Sequence, residues 1–146
     1  MDRRISFVTL ATTDLDAARQ FYLDGLGWSL LLDVPDEIIF FQIGHGMVLG
    51  LYEALKFSQD IDAESTVPAT VSGLTLSQNV DSPQQVNQLL AAAEAAGARI
   101  LKPGQYASFG GYHGHFADPN GVIWEIAHNP GWSVDAAGTV SLQPVG

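Results

Sequence analysis

Apolar and polar positions along the chain follow one order of elements, and the order occurs twice. From Ile5 to Ala11, "ISFVTLA", apolar residues alternate weakly with polar ones, as in a strand packed on one face. Asp14 then stands where a helix N-cap would, and Ala17, Ala18, Phe21 and Tyr22 follow at helical spacing. Gly25 and Gly27 are placed to stop that helix. The second occurrence starts with a strand ending at Val80, followed by Asp81 or Ser82 as cap and Pro83 in the first helical turn. Val86, Leu89, Leu90 and Ala93 form its apolar stripe, Gly97 stops the helix, and Ile100 and Leu101 begin the next strand. Each helix leads into further strands. These are "EIIFFQIG" and "GMVLGLYE" around His45–Gly46 in the first half, and a hairpin around "DPNG" in the second.

The pattern therefore predicts an α+β chain built from two βαβββ modules in a single domain, 1–146. Module one spans about 1–57, a linker about 58–72, module two about 73–130 and a C-terminal tail 131–146. The linker is polar, with Asp60, Asp62, Glu64 and Pro68. The tail is rich in Gly and Ala and carries a short strand near Thr139–Leu142.

The second hairpin can be read residue by residue. In "DPNG", Pro119 suits the second position of a type I turn, Asn120 tolerates the third, and Gly121 can take positive φ and close a bulge. This turn pairs Asp118 with Val122. By counting, Ala117 then faces Ile123, Phe116 faces Trp124, His115 faces Glu125, Gly114 faces Ile126, and His113 faces Ala127. His113, His115, Glu125, Ile123 and Ala127 share one face; Phe116, Trp124 and Ile126 share the other, which must pack on a helix. A slip of one residue would separate Glu125 from both histidines.

Composition narrows the chemistry. With 47% hydrophobic and 15% charged residues in 146, the chain can bury a core. It has no Cys, which removes disulfides, thiol nucleophiles and Cys-based zinc sites. A net charge of −10 disfavours nucleic acid and anionic lipid. It serves either as a solvated acidic surface or to attract a cationic ligand. No stretch is long and apolar enough for a membrane span, and the N-terminus does not read as a signal peptide, so a cytoplasmic protein is expected. No phosphate-binding loop or serine nucleophile elbow is present.

"VTLATTDLDAARQFYLDGLGW", "FADPNGVIWEIAHNP" and the doubled module together make the chain resemble the vicinal oxygen chelate superfamily. That superfamily includes glyoxalase I, bleomycin resistance proteins and extradiol dioxygenases. The resemblance implies a curved, partly open mixed sheet around a cavity, with helices outside. It also implies four metal-ligand positions, which fall here on Phe7, Gly50, Leu74 and Glu125. Only Glu125 can ligate, so the usual metal is expected to be absent and no cofactor is expected. His113, His115 and Glu125 remain a conceivable substitute site for a divalent ion.

The leading expectation is metal-independent binding of a small organic molecule in a hydrophobic cavity with a His/Glu polar wall, in a homodimer. Phe7, Thr9, Val48 and Tyr52 are expected to line it from the first module. Leu74, Leu76, His113, His115 and Glu125 are expected to line it from the second. Tyr106, Phe109 and Gly110–Gly111 read as a flap at its mouth. Glu125 is either a carboxylate satisfied by a neighbour or a pocket acid whose pKa is raised by apolar surroundings, with His115 as the other catalytic candidate. His45 is expected in solvent, and His128 as an anchor for "HNP". The alternative function is a glyoxalase-like lyase or isomerase, or an extradiol-type dioxygenase, with a rebuilt site.

Overall fold

The computed structural model describes residues 1, 3, 5–108 and 110–145, and the chain falls into two compact units. The first comprises Met1–Leu74 with Pro119–Gly121, the second Thr75–Asp118 with Val122–Gly146. Each carries a four-stranded mixed sheet, and the architecture is α+β.

In the first unit, strand β1 (Phe7–Thr12) leads to α1 (Leu15–Arg19), where the Asp14 carboxylate accepts from the Ala17 N–H at 2.9 Å. The helix then widens into a π-helical segment, Gln20–Gly25, and Gly27 ends it at φ 69°. Strands β2 (Leu32–Val34), β3 (Ile38–Gly44) and β4 (Met47–Glu53) follow, in the sheet order β1-β4-β3-β2. β1 runs parallel to β4, and the other pairs are antiparallel. One face of this sheet carries Leu10, Ile39, Phe41, Leu49 and Leu51, all buried, as are Ala18, Phe21 and Tyr22 of the helix. Tyr22, Trp28 and Phe41 form an aromatic cluster with ring centroids 4.9–5.6 Å apart. Burying such rings is the main stabilisation this face supplies.

A helix not expected from the sequence spans the end of module one and the start of the linker: α2 covers Ala54–Ile61. Glu53, the last residue of β4, caps it by accepting from the Leu55 and Lys56 N–H groups at 3.1 and 2.9 Å. A carboxylate at that position is a helix start that reads in sequence as a strand end.

In the second unit, β5 (Thr75–Asn79) leads to α3 (Pro83–Ala95). Ser82 is the cap, accepting from the Gln85 N–H at 3.2 Å, while the Gln85 side chain returns to the Asp81 N–H at 2.9 Å. Strands β6 (Arg99–Tyr106), β7 (Tyr112–Ala117) and β8 (Ile123–His128) complete the sheet in the order β5-β8-β7-β6. β5 is parallel to β8. Val86, Leu90 and Ala93 of α3 are buried, as are Phe116, Trp124 and Ile126 on the facing side of the sheet. The tail forms its own hairpin, β9 (Trp132–Val134) against β10 (Val140–Leu142), so the strand expected near Thr139–Leu142 is present. No helix among the described residues is long and apolar enough to cross a membrane.

Candidate functional site

The site begins at the turn Asp118–Val122. The Asp118 N–H donates to the Val122 carbonyl at 2.9 Å, the Val122 N–H donates back to the Asp118 carboxylate at 2.8 Å, and Gly121 takes φ 86°. This closes the hairpin in the expected register: Ala117 opposite Ile123, Phe116 opposite Trp124, His115 opposite Glu125, Gly114 opposite Ile126 and His113 opposite Ala127. Asn120, at the tip, is grouped with the first unit. Its amide oxygen accepts from the Asp14 N–H at 2.7 Å and the Thr13 hydroxyl at 3.1 Å, and its NH₂ donates to the Asp14 carbonyl at 2.9 Å. Asn120→Ala removes all three bonds and is expected to lower the unfolding free energy by about 1–2 kcal/mol in urea denaturation. An unchanged midpoint would show that these bonds contribute nothing net.

Gly114 separates the two histidines for a packing reason. A Cβ there would lie 2.5 Å from Leu90 of α3 and 2.8 Å from the Lys102 carbonyl. The helix thus lies against the Gly114 side of the sheet, and His113 and His115 project from the other side.

On that side the polar groups are joined. His113 Nδ1 lies 2.7 Å from Glu125 Oε1, and the Ser77 hydroxyl donates to Glu125 Oε2 at 3.0 Å. Lys102 Nζ lies 2.9 Å from His113 Nε2. An ammonium only donates and a carboxylate only accepts, so this arrangement selects the tautomer with the proton on Nδ1, given to Glu125. His115 Nε2 stands 3.7 Å from Glu125 Oε1, and its ring centroid is 5.2 Å from that of His113. The side chains of His113, His115 and Glu125 are 12%, 23% and 25% exposed, so the cluster is shielded yet reachable from solvent.

These contacts reverse one expectation. Burial does push the Glu125 carboxyl up, but hydrogen bonds from His113 and Ser77, with the charges of both histidines, outweigh it, and its pKa lies below the usual value. Glu125 is therefore an ionised, hydrogen-bonded carboxylate and not a raised-pKa base. The His115 pKa is also lowered. Burial is the main cause, and the charges of His113 and Lys102 add to it against the opposing pull of Glu125.

The remaining candidates are distributed as follows. Phe7, Thr9, Val48 and Tyr52 share one face of the first sheet, opposite the helix-covered face, with Phe7 edge-on to Phe40 at 5.8 Å. Leu76 pairs with Trp124 and so lies on the opposite face of the second sheet from Glu125. Leu74 precedes β5 altogether. With Ser82 as the cap, the residue matching Phe7 of the first module is Thr75, not Leu74, and the Glu125 face of β5 carries Thr75, Ser77 and Asn79. His128 Nδ1 lies 3.2 Å from the Val80 carbonyl, an anchoring contact. Tyr106 is exposed at the end of β6, and Phe109 lies outside the described residues.

Two residues of the site escaped the sequence pattern. Ser77 stands five residues before Ser82, as Thr9 stands five before Asp14, so the repeat contains its position once the cap is assigned. Lys102 is harder to find, because β6 shifts register between Ile100 and Lys102 and again before Gln105. Pro103 and Gly104 are the only signal of those irregularities.

The family model of the Glyoxalase/Bleomycin resistance protein/Dioxygenase superfamily matches residues 4–126. The chain belongs to this superfamily. Among solved structures, a glyoxalase-related enzyme from Fulvimarina pelagi is 34% identical, with a TM-score of 0.83 over 97% of this chain and 99% of that one. A lactoylglutathione lyase from Agrobacterium tumefaciens is 23% identical, with a TM-score of 0.67 over 87% of this chain and 94% of that one. A superfamily protein from Nocardioides is 24% identical, with a TM-score of 0.70 over 88% and 84%. These last two share the fold. No curated protein matches the chain.

The superfamily's metal positions do not suit an ion in this member. Phe7 has no donor atom, and Thr75 offers only a hydroxyl. Gly50 has no side chain to donate, and a Cβ there would lie 3.1 Å from the Phe40 ring, 3.3 Å from Thr9 Oγ1 and 3.4 Å from Ile38, so a ligand side chain would need these neighbours to give way. Ligand atoms of His113, His115 and Glu125 do lie within 4.8 Å of one another, close enough for a divalent ion. The 2.7 Å separation of Nδ1 and Oε1 is that of a hydrogen bond, however, whereas a tetrahedral zinc spaces its ligand atoms about 3.4 Å apart. An ion there would displace that proton beside the Lys102 ammonium.

Proposed function

We propose that the protein binds a small organic molecule against the polar face of the second sheet, without a metal ion. The observation that supports this is the hydrogen-bonded chain Lys102–His113–Glu125–Ser77, which fixes its polar groups in place beside apolar Ile123 and Ala127. Such a wall orients a ligand through a few fixed polar groups while apolar neighbours take its body. Metal analysis of the purified protein should find well under one equivalent of Zn, Ni, Mn or Fe. One tightly held equivalent would sink the metal-free reading. A thermal-shift screen of aromatic compounds of differing charge should yield stabilising ligands, and His115→Gln should weaken them. A lyase- or isomerase-like proton transfer is favoured as second reading by His115, an imidazole kept from protonation and without a hydrogen bond among the described residues. Deuterium exchange into a bound ligand, lost in His115→Gln, would select it.

The same proposal places the protein in the cytoplasm as a homodimer. The exposed leucines at and before edge strand β2, Leu30, Leu31 and Leu32, are the apolar surface that supports a second copy. Sedimentation as a monomer would refute it.

A further inference from the structure

We propose that Lys102 makes this face a subsite for an anionic oxygen, so that the ligand is a small organic acid carrying a carboxylate or a comparable oxyanion. The proposal rests on the binding function just described and specifies the class of ligand. It also reverses the sign that the overall charge suggests.

Three features carry it. First, Lys102 is half-buried and pairs across the sheet with His115, on the face that presents His113 and Glu125. One ammonium hydrogen is directed at His113 Nε2, and no carboxylate among the described residues lies within ion-pair distance of Nζ. Arg19 is paired with Asp16 and Asp33 at 2.8 and 2.7 Å and Lys56 with Glu37 at 3.9 Å, whereas Arg3 and Arg99, like Lys102, have no carboxylate at ion-pair distance among the described residues; of these three, Lys102 is the one on the face of His113 and Glu125. Two ammonium hydrogens of Lys102 are left for a ligand.

Second, the neighbouring carboxylate is already engaged. Glu125 takes the His113 proton on Oε1 and the Ser77 hydroxyl on Oε2. The His113 ring stands between it and Lys102, so the ammonium charge is not cancelled by direct contact. A half-buried cation without a counter-charge gains most from an anion brought by a ligand, because charge-assisted hydrogen bonds strengthen as water is excluded.

Third, the adjoining group is compatible. The His115 imidazole, next to Lys102 across the sheet, adds an N–H for a second oxygen. Ile123 and Ala127 on the same face provide apolar surface for the rest of the molecule. A cationic ligand would meet the Lys102 ammonium at this place, and the charge of −10 spread over the surface does not change that contact.

The test is calorimetric titration of the full chain with three probes of one shape: benzoate, benzamide and benzylamine. Benzoate should bind about tenfold more tightly than benzamide, in line with one charge-assisted hydrogen bond. Lys102→Gln should abolish that preference and Lys102→Arg should retain most of it, each with an unchanged circular dichroism spectrum. Equal affinities for benzoate and benzamide, a preference for benzylamine, or an acid preference that survives in Lys102→Gln would overturn the anion subsite while leaving small-molecule binding in place. Failure of all three probes to bind at millimolar concentration would count against both.

Discussion

Gly114→Val is expected to cost about 3 kcal/mol of stability, at the upper end for overpacked interiors. A Cβ at this position meets Leu90 Cδ1 at 2.5 Å, the Lys102 carbonyl oxygen at 2.8 Å and the Gly104 nitrogen at 3.1 Å. The leucine could rotate, but the other two are backbone atoms of the neighbouring strand and can move only if β6 parts from β7. That strand carries Lys102, so the substitution should also pull its ammonium away from His113. Urea denaturation should show a lower midpoint, and Gly114→Ala should fall between the variant and the parent protein. A fully stable valine variant would mean that α3 does not press on the sheet at Gly114.

The second large effect is a pH dependence in two stages. The folded Glu125 carboxyl has a pKa below its unfolded value, so its contribution is fully present above about 4.3 and is lost as pH falls through the folded value. His115 is also depressed, and folding favours its neutral form. Its contribution is therefore present above about 6.5 and is lost as the pH falls through its own folded value. Stability measured against pH should decline from just below neutrality, before ordinary carboxylates titrate, and decline again in the acid range. His115→Gln should flatten the first decline and Glu125→Gln the second. Glu125→Leu should cost about 2–3 kcal/mol at neutral pH, because the His113 Nδ1–H and the Ser77 hydroxyl lose their acceptor. Superimposable profiles for the parent and both variants would contradict the charge assignments.

The site was legible in the sequence wherever geometry was local. "DPNG" suits a type I turn closed by Gly121, that turn gives the observed register, and the register brings His113, His115 and Glu125 to one face. What was hidden depends on strands that come from elsewhere in the chain. Either Asp81 or Ser82 could cap α3 by sequence, and the positions expected on Leu74 and Leu76 correspond to Asp81; with Ser82 as the cap they fall on Thr75 and Ser77. A polar strand edge was thereby read as apolar lining. That single offset also concealed the Ser77 hydroxyl, one of the groups that lower the Glu125 pKa. Lys102 was missed because alternation fails in a strand with two register shifts. The start of α2 was missed because Glu53 both ends a strand and caps a helix. Fold class, by contrast, depends on element order, which survives errors of one residue.

The grouping of Pro119–Gly121 with the N-terminal unit has a consequence for biosynthesis. Residues up to Leu74 leave the ribosome well before the turn that supplies Asn120 to Thr13 and Asp14. At roughly 5–20 residues per second, the gap is about two to nine seconds. Through that interval the nascent first unit lacks three hydrogen bonds at the start of its first helix. The first unit is thus completed only by a residue translated after most of the second.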